Sequence, residues 1–161
     1  MKTLASHSLN ETKQIAKNWL VSISNTYANH NGALIVGLSG HLGAGKTAFT
    51  KSVAEVLGIT DHVTSPTFVI MKIYEINDQV TMTNDQKARH VDVPWRKLIH
   101  IDAYRLEGTE QLQVLEWEKL LADRDNLILI EWPENVGLQS FHKDTSLAFE
   151  ASDGVHHISI K

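Results

Sequence analysis

Cysteine is absent from the 161 residues, which excludes disulfides, thiolate zinc sites and thiol nucleophiles. An excess of basic residues is missing too. The formal net charge is -4, so there is no general surface for gripping a phosphodiester backbone, and any contact with nucleic acid must be local or delegated. No run approaches the ~18 apolar residues of a membrane span, and the first ten residues lack the apolar core of a signal peptide. A cytoplasmic protein with no membrane partner is the expectation. Nine histidines occur, but none falls in HExxH or comparable ligand spacing, and the adjacent His156 and His157 would face opposite sides of a strand. Repeats and low-complexity tracts are lacking as well. With 42% hydrophobic and 21% charged residues, the chain is expected to form one domain over 1–161, large enough to bury a core.

Against these absences stands one dense motif. Gly40-His41-Leu42-Gly43-Ala44-Gly45-Lys46-Thr47 fits the phosphate-loop pattern G-x-x-x-x-G-K-[ST] and follows an apolar run, 33–38, with the character of a buried strand. Successive backbone N–H groups can wrap a polyphosphate only where no side chain blocks the approach, which accounts for the glycines at 40, 43 and 45. In this reading Lys46 reaches the β- and γ-phosphates, and Thr47 supplies a hydroxyl to Mg²⁺. The helix that starts here turns its positive dipole end to the anion. Ala48, Val53, Ala54 and Leu57 give that helix an apolar face, and Gly58 is placed to end it.

Elsewhere Ser8-Leu9-Asn10-Glu11 has the form of a capping box, followed by Ile15, Trp19, Ile23 and Tyr27 at intervals of four, which predicts an amphipathic first helix. Residues 68–76 and 97–101 read as strands, separated by a polar stretch, 77–96. Leu112, Leu115, Leu120 and Leu121 suggest helical turns before a further apolar run, 127–130. Two alternating segments, 145–150 and 155–160, are joined by 151–154 as a hairpin. The order predicts an α/β fold: a three-layer sandwich of the phosphate-loop NTPase type, with a mixed, mostly parallel sheet carrying antiparallel hairpin strands.

Ligands of such sheets sit beyond the carboxyl ends of the parallel strands. Two apolar runs stop at an acid there: 127–130 at Glu131 and 98–101 at Asp102, the latter interrupted by His100. Either carboxylate can serve Mg²⁺ through its water shell or orient an attacking water, since Mg²⁺ prefers hard oxygen ligands. Strands 68–76 and 97–101 have no crossover helix between them and should pair antiparallel. That pairing brings Ser65, Pro66 and Thr67 beside Asp102, where the Thr67 hydroxyl can sense a γ-phosphate.

The pieces Leu42-Gly43-Ala44-Gly45-Lys46-Thr47, Ser65-Pro66-Thr67-Phe68, His100-Ile101-Asp102-Ala103-Tyr104-Arg105-Leu106 and Ile130-Glu131-Trp132-Pro133-Glu134 occur in the order and rough spacing of one family. Over about residues 8–160 the chain resembles TsaE, once called YjeE, the small ATPases of bacterial tRNA threonylcarbamoyladenosine biosynthesis. The resemblance implies slow ATP hydrolysis alone and work with two partner proteins, TsaB and TsaD, the tRNA being met only through their complex. It implies Thr47 and Glu131 at Mg²⁺, with Asp102 as a further candidate there; Lys46, Asp102 and Glu131 as the catalytic set; and Trp132 near the nucleotide. Adenine is implied between the segment of Leu9 to Thr12 and the hairpin turn at Gly154. His41 stands where the family usually has an acid, so an ATPase rate that varies between pH 6 and 8 is expected from an imidazole at that position. The stretch 77–96, carrying Lys87, Arg89, His90, Trp95 and Arg96, is longer than usual in the family and is read as a solvated loop, with a partner or tRNA contact as the alternative.

Other functions fit less well. A small-molecule kinase needs cations over the moving phosphoryl group, yet the only arginines are Arg89, Arg96, Arg105 and Arg124, none of them after Glu131. A signalling GTPase would carry Asn-Lys-x-Asp, which is absent. The kinase and a module that binds ATP without hydrolysing it are the alternatives.

Overall fold

The computed structural model describes residues 2–27, 31–61, 63–64, 66, 69–76, 91–137 and 146–161. In chain order the elements are β1 (Lys2–Ser6), α1 (Leu9–Tyr27), β2 (Leu34–Ser39), α2 (Lys46–Val56), β3 (Met71–Glu75), β4 (Lys97–Asp102), α3 (Glu110–Gln113), α4 (Trp117–Ala122), β5 (Asn126–Glu131), a 3₁₀ turn (Pro133–Val136), β6 (Ser146–Ser152) and β7 (Val155–Ile160). The strands form one seven-stranded sheet in the order β1-β7-β6-β2-β5-β4-β3. Its centre, β6-β2-β5-β4, is parallel; β7 joins β6, β1 joins β7 and β3 joins β4 antiparallel.

Alternation along the central strands divides the core in two. Leu34, Val36, Leu38, Leu98, Leu127 and Leu129 face α1 and α2, whereas Ile35, Ile99, Ile101, Ile128 and Ile130 face Leu112, Trp117 and Val136. Both faces of the sheet are covered, which is why these strands read as nearly continuous apolar runs. On the first face Trp19 of α1, Phe49 of α2 and Phe149 of β6 stack edge-on, with successive ring centroids 5.4 Å apart. The predicted stripe on α1 is core packing: Trp19 and Ile23 are buried and Ile15 and Tyr27 pack against them. Among the described residues no helix is long and apolar enough to cross a membrane.

Several elements depart from expectation. The sequence reading assigns nothing to 2–6, yet these residues form an edge strand completed by β7. The capping box is half formed: Ser8 Oγ accepts the Glu11 N–H at 3.2 Å, but the Glu11 carboxylate reaches the N–H of His7 rather than that of Ser8. Helical turns after 109 break into α3 and α4 because Glu116 is left-handed at φ 55°. The strand expected over 68–76 begins at Met71, after Ile70 at φ 67°. Trp95, read as part of a solvated loop, is a core residue at 2% exposure, and the Arg96 N–H donates to the Asp125 carbonyl. Lys87, Arg89 and His90 lie outside the described residues.

Parallel pairing sets the site. β2, β5 and β4 run together, so the loop after β2 and the last residues of β4 and β5 share one edge of the sheet. The β6–β7 hairpin turns over at Asp153 and Gly154, both with positive φ, as a two-residue hairpin turn requires. β1, parallel in sense to β6, delivers Ser6 and the start of α1 to the same edge.

Candidate nucleotide and metal site

From Ser39 the chain enters the glycine loop. Gly40 has φ 142°, and a Cβ there would stand 2.2 Å from the Phe149 carbonyl oxygen, so β6 forces glycine at this position as much as any ligand does. α2 begins at Lys46 with Gly45 as a left-handed N-cap that makes no side-chain cap and with no acid in its first turn. Its N-terminal N–H groups are thereby left to an anion. Lys46 is only 4% exposed. Its Nζ donates to the carbonyls of Gly40 (2.6 Å) and His41 (3.0 Å) and lies 4.1 Å from the centroid of the Trp132 ring. Burial lowers the Lys46 pKa from 10.5; the carboxylates of Glu131, Glu134 and Asp102 oppose that shift. The His41 side chain is exposed, and it is the His41 carbonyl that meets Lys46.

Opposite the loop, Asp102 and Glu131 are the terminal residues of β4 and β5 and pair in register. Glu131, at 3% exposure, accepts the Thr47 hydroxyl at Oε1 over 2.8 Å. The same oxygen lies 2.9 Å from His100 Nε2. Asp102, also buried, accepts the Tyr104 N–H at Oδ1 over 3.0 Å. Trp132 holds a left-handed backbone (φ 59°), its N–H donates to the Leu38 carbonyl, and its ring packs on Tyr104 with centroids 5.2 Å apart. A cleft of about 380 Å³ joins Gly43, Lys46, Thr47, Asp102, Glu131 and Trp132. The sequence thus names residues that the fold brings together, although they come from three separate segments.

A second cleft of about 230 Å³ continues from the loop and is lined by Leu9, Thr12, Ala44, Gly45, Gly154 and His156. Leu9, Thr12 and Gly154 therefore converge. Thr67, like Ser65, lies outside the described residues; Pro66 is described, and its carbonyl accepts the N–H of Val69 and Ile70.

His156 was read only as one of a pair on a strand. Its Nδ1 lies 3.0 Å from the Ala44 carbonyl, and the ring lines both clefts. The only signal available in the sequence is its position two residues after the hairpin glycine, which gains meaning once the hairpin is known to overhang the loop. Ser39, whose hydroxyl donates to Glu134 Oε2 at 3.2 Å, was likewise missed.

The donor chemistry fits a small hard cation. Thr47 and Glu131 offer oxygen at one point, as Mg²⁺ demands, and among the described residues no group of three His, Cys, Asp or Glu converges to cage a metal unaided. A cation held by one or two side chains, phosphate and water suits such a site.

The profile of the family described as "Threonylcarbamoyl adenosine biosynthesis protein TsaE" matches residues 6–158. Two relatives named tRNA threonylcarbamoyladenosine biosynthesis protein TsaE are similar over much of their length. That of Borreliella burgdorferi is 35% identical over 115 residues, covering 70% of this chain and 70% of the relative. That of Bacillus subtilis is 38% identical over 135 residues, covering 82% and 68%. One from Streptomyces coelicolor is 39% identical over 101 residues, of whose length 57% is spanned. Among solved structures, Bacillus subtilis YdiB superposes with a TM-score of 0.62 at 29% identity, covering 98% of this chain and 82% of that one. With the profile spanning nearly the whole sequence, the chain belongs to the TsaE family.

Proposed function

We propose that this protein, a member of a family of tRNA threonylcarbamoyladenosine biosynthesis proteins, is a magnesium-dependent ATPase that drives cycles of a TsaB–TsaD complex. The observation that carries the reading is the Thr47–Glu131 contact of 2.8 Å, facing Lys46 across one cleft. Lys46 supplies an ammonium to the β- and γ-phosphates, and the α2 N–H groups receive their oxygens. Thr47 and Glu131 hold Mg²⁺, which when bound neutralises charge on the phosphates. Asp102 or Glu131 orients the water whose oxygen displaces ADP from the γ-phosphorus, giving ADP and inorganic phosphate. Adenine occupies the cleft between Leu9, Thr12 and Gly154. The tRNA is met through the partner proteins, and a role in tRNA modification is consistent with work in the cytoplasm.

Single-turnover hydrolysis with and without the TsaB and TsaD proteins tests this. Inorganic phosphate should appear slowly with the chain alone and faster with both partners, and Thr47→Ala or Glu131→Gln should lower the rate on the order of 100-fold. A phosphorylated metabolite in place of phosphate would make the protein a kinase. Nucleotide binding without phosphate release, even with both partners, would reduce it to a binding module.

A further inference from the structure

The His100 imidazole occupies a position where the fold wants a hydrocarbon. Along β4, residue 100 shares a face with Leu98, which packs in the core under α1 and α2, and β4 is covered by β3 and β5 on both sides. His100 is 0% exposed and its Nδ1 has no hydrogen-bond partner. Burying an unpaired ring nitrogen destabilises a core, so packing gives no reason for histidine over leucine here. The other nitrogen supplies one. Nε2 lies 2.9 Å from Glu131 Oε1, and because a carboxylate can only accept, the ring donates from Nε2.

The backbone register explains how the ring reaches. His100 pairs with Leu129 and Asp102 with Glu131, so His100 and Glu131 project from neighbouring strands onto the same face, one pleat apart. Oε1 then takes two hydrogen bonds from two elements: the Thr47 hydroxyl at 2.8 Å from the first turn of α2 and the His100 N–H at 2.9 Å from β4. Two donors from two rigid elements fix the rotation of the carboxylate. The other carboxylate oxygen is held by neither.

We propose that His100 is a positioning residue for Glu131: its buried N–H holds the carboxylate in the orientation that lets Glu131 and Thr47 act on one cation. β4 thus contributes Asp102 to the cleft directly and Glu131 indirectly. The inference rests on the magnesium–nucleotide reading of this cleft, and its test has an arm that does not depend on that reading.

Three variants separate orientation from packing. His100→Leu removes the donor and keeps an apolar group of similar bulk. His100→Gln restores an N–H at about the reach of Nε2, and His100→Asn offers one too short to arrive. Calorimetric binding of a non-hydrolysable ATP analogue, with and without Mg²⁺, should show H100L weakening Mg²⁺ binding by roughly 10- to 100-fold, the usual effect of losing an outer-shell partner. Metal-free nucleotide affinity should stay within about 3-fold, since His100 touches no phosphate-binding group. H100Q should recover most of the loss, and on a Glu131→Gln background the effect of H100L should vanish. Unchanged Mg²⁺ affinity in folded H100L, or an undiminished effect on the Glu131→Gln background, overturns the proposal. Should H100L not fold, equal Mg²⁺ affinities for the Asn and Gln variants overturn it instead. The independent arm is a metal-free, nucleotide-free crystal structure of H100L or H100N: Glu131 turned from the Thr47 hydroxyl supports the proposal, and an unmoved carboxylate refutes it even if the parent protein proves to bind no magnesium nucleotide.

Discussion

Lys46 is an ammonium kept almost wholly from water, and burial is the strongest influence on it, lowering its pKa against the pull of Glu131, Glu134 and Asp102. The folded chain therefore binds this proton less firmly than the unfolded chain, where lysine titrates near 10.5. The penalty is in full force at neutral pH and is relieved only as pH climbs toward that unfolded value. Lys46→Met, with a stem of similar length and no charge, forfeits the two hydrogen bonds to the Gly40 and His41 carbonyls at every pH but escapes this penalty, so its melting temperature relative to the parent's should fall on going from pH 7 to pH 10. It should also bind ATP roughly 10- to 100-fold more weakly, the worth of a hydrogen bond to a charged group. Melting curves at pH 7 and 10 with calorimetric titration check both halves, and a difference in melting temperature that does not change between the two pH values would contradict the first. At this scale the sequence is most legible where chemistry demands fixed residue types at fixed spacing, as from Gly40 to Thr47. Asp102 and Glu131 were legible because an acid closing an apolar run leaves few alternatives. His156 was not, since its place beside Ala44 depends on how the last hairpin folds back over the loop.

Among elements, the parallel centre could be read because strands covered on both faces write long apolar runs, and the antiparallel β3–β4 pairing followed from the lack of a crossover helix. β1 could not. Lys2–Ser6 has no alternating pattern of its own, and it becomes a strand only through β7, more than a hundred residues away in the chain. Trp95 sits in a polar stretch, and its place in the core goes with tertiary contacts the pattern does not show, among them the Arg96 N–H donating to the Asp125 carbonyl. The junction of β1 with α1 carries a prediction of its own. Ser6 and Thr12 share a hydrogen bond of 2.7 Å in a buried setting, and both hydroxyls approach the Ser8 carbonyl. Thr12→Val preserves shape and deletes one hydroxyl, so stability should fall by roughly 1 kcal/mol. Because Thr12 lines the cleft with Leu9 and Gly154, proposed for the base, and not the one with Lys46 and Thr47, ATP affinity should fall a few-fold while affinity for inorganic tripolyphosphate is retained. Equal losses for both ligands would place the base elsewhere.

For the whole molecule, charge decides what the chain can hold by itself. A protein that neutralises six to ten phosphates releases their counterions and binds nucleic acid with a steep dependence on salt. This chain carries 15 lysines and arginines against 19 acids, and part of its cationic capacity is already committed: Lys46 to the loop carbonyls, Lys13 to Glu55 and Lys119 to Glu116. A net-negative surface repels a polyanion at long range. The chain alone should therefore leave tRNA unshifted at about 50 mM salt, where a basic tRNA-binding protein would be saturated, and should enter a tRNA complex only when the TsaB and TsaD proteins are present. The stretch that includes Lys87, Arg89 and His90 is the place where this expectation is most exposed, because a local cluster can act against a net charge of opposite sign. Titrating tRNA against the full chain and against a chain shortened across 77–90, at several salt concentrations, distinguishes the cases. Binding by the full chain with a salt slope of about -2 or steeper, abolished by the shortening, would show direct tRNA contact through that segment and displace the partner-mediated reading; loss of the partner complex on shortening, without any tRNA binding by the chain alone, would instead assign the segment to protein contact.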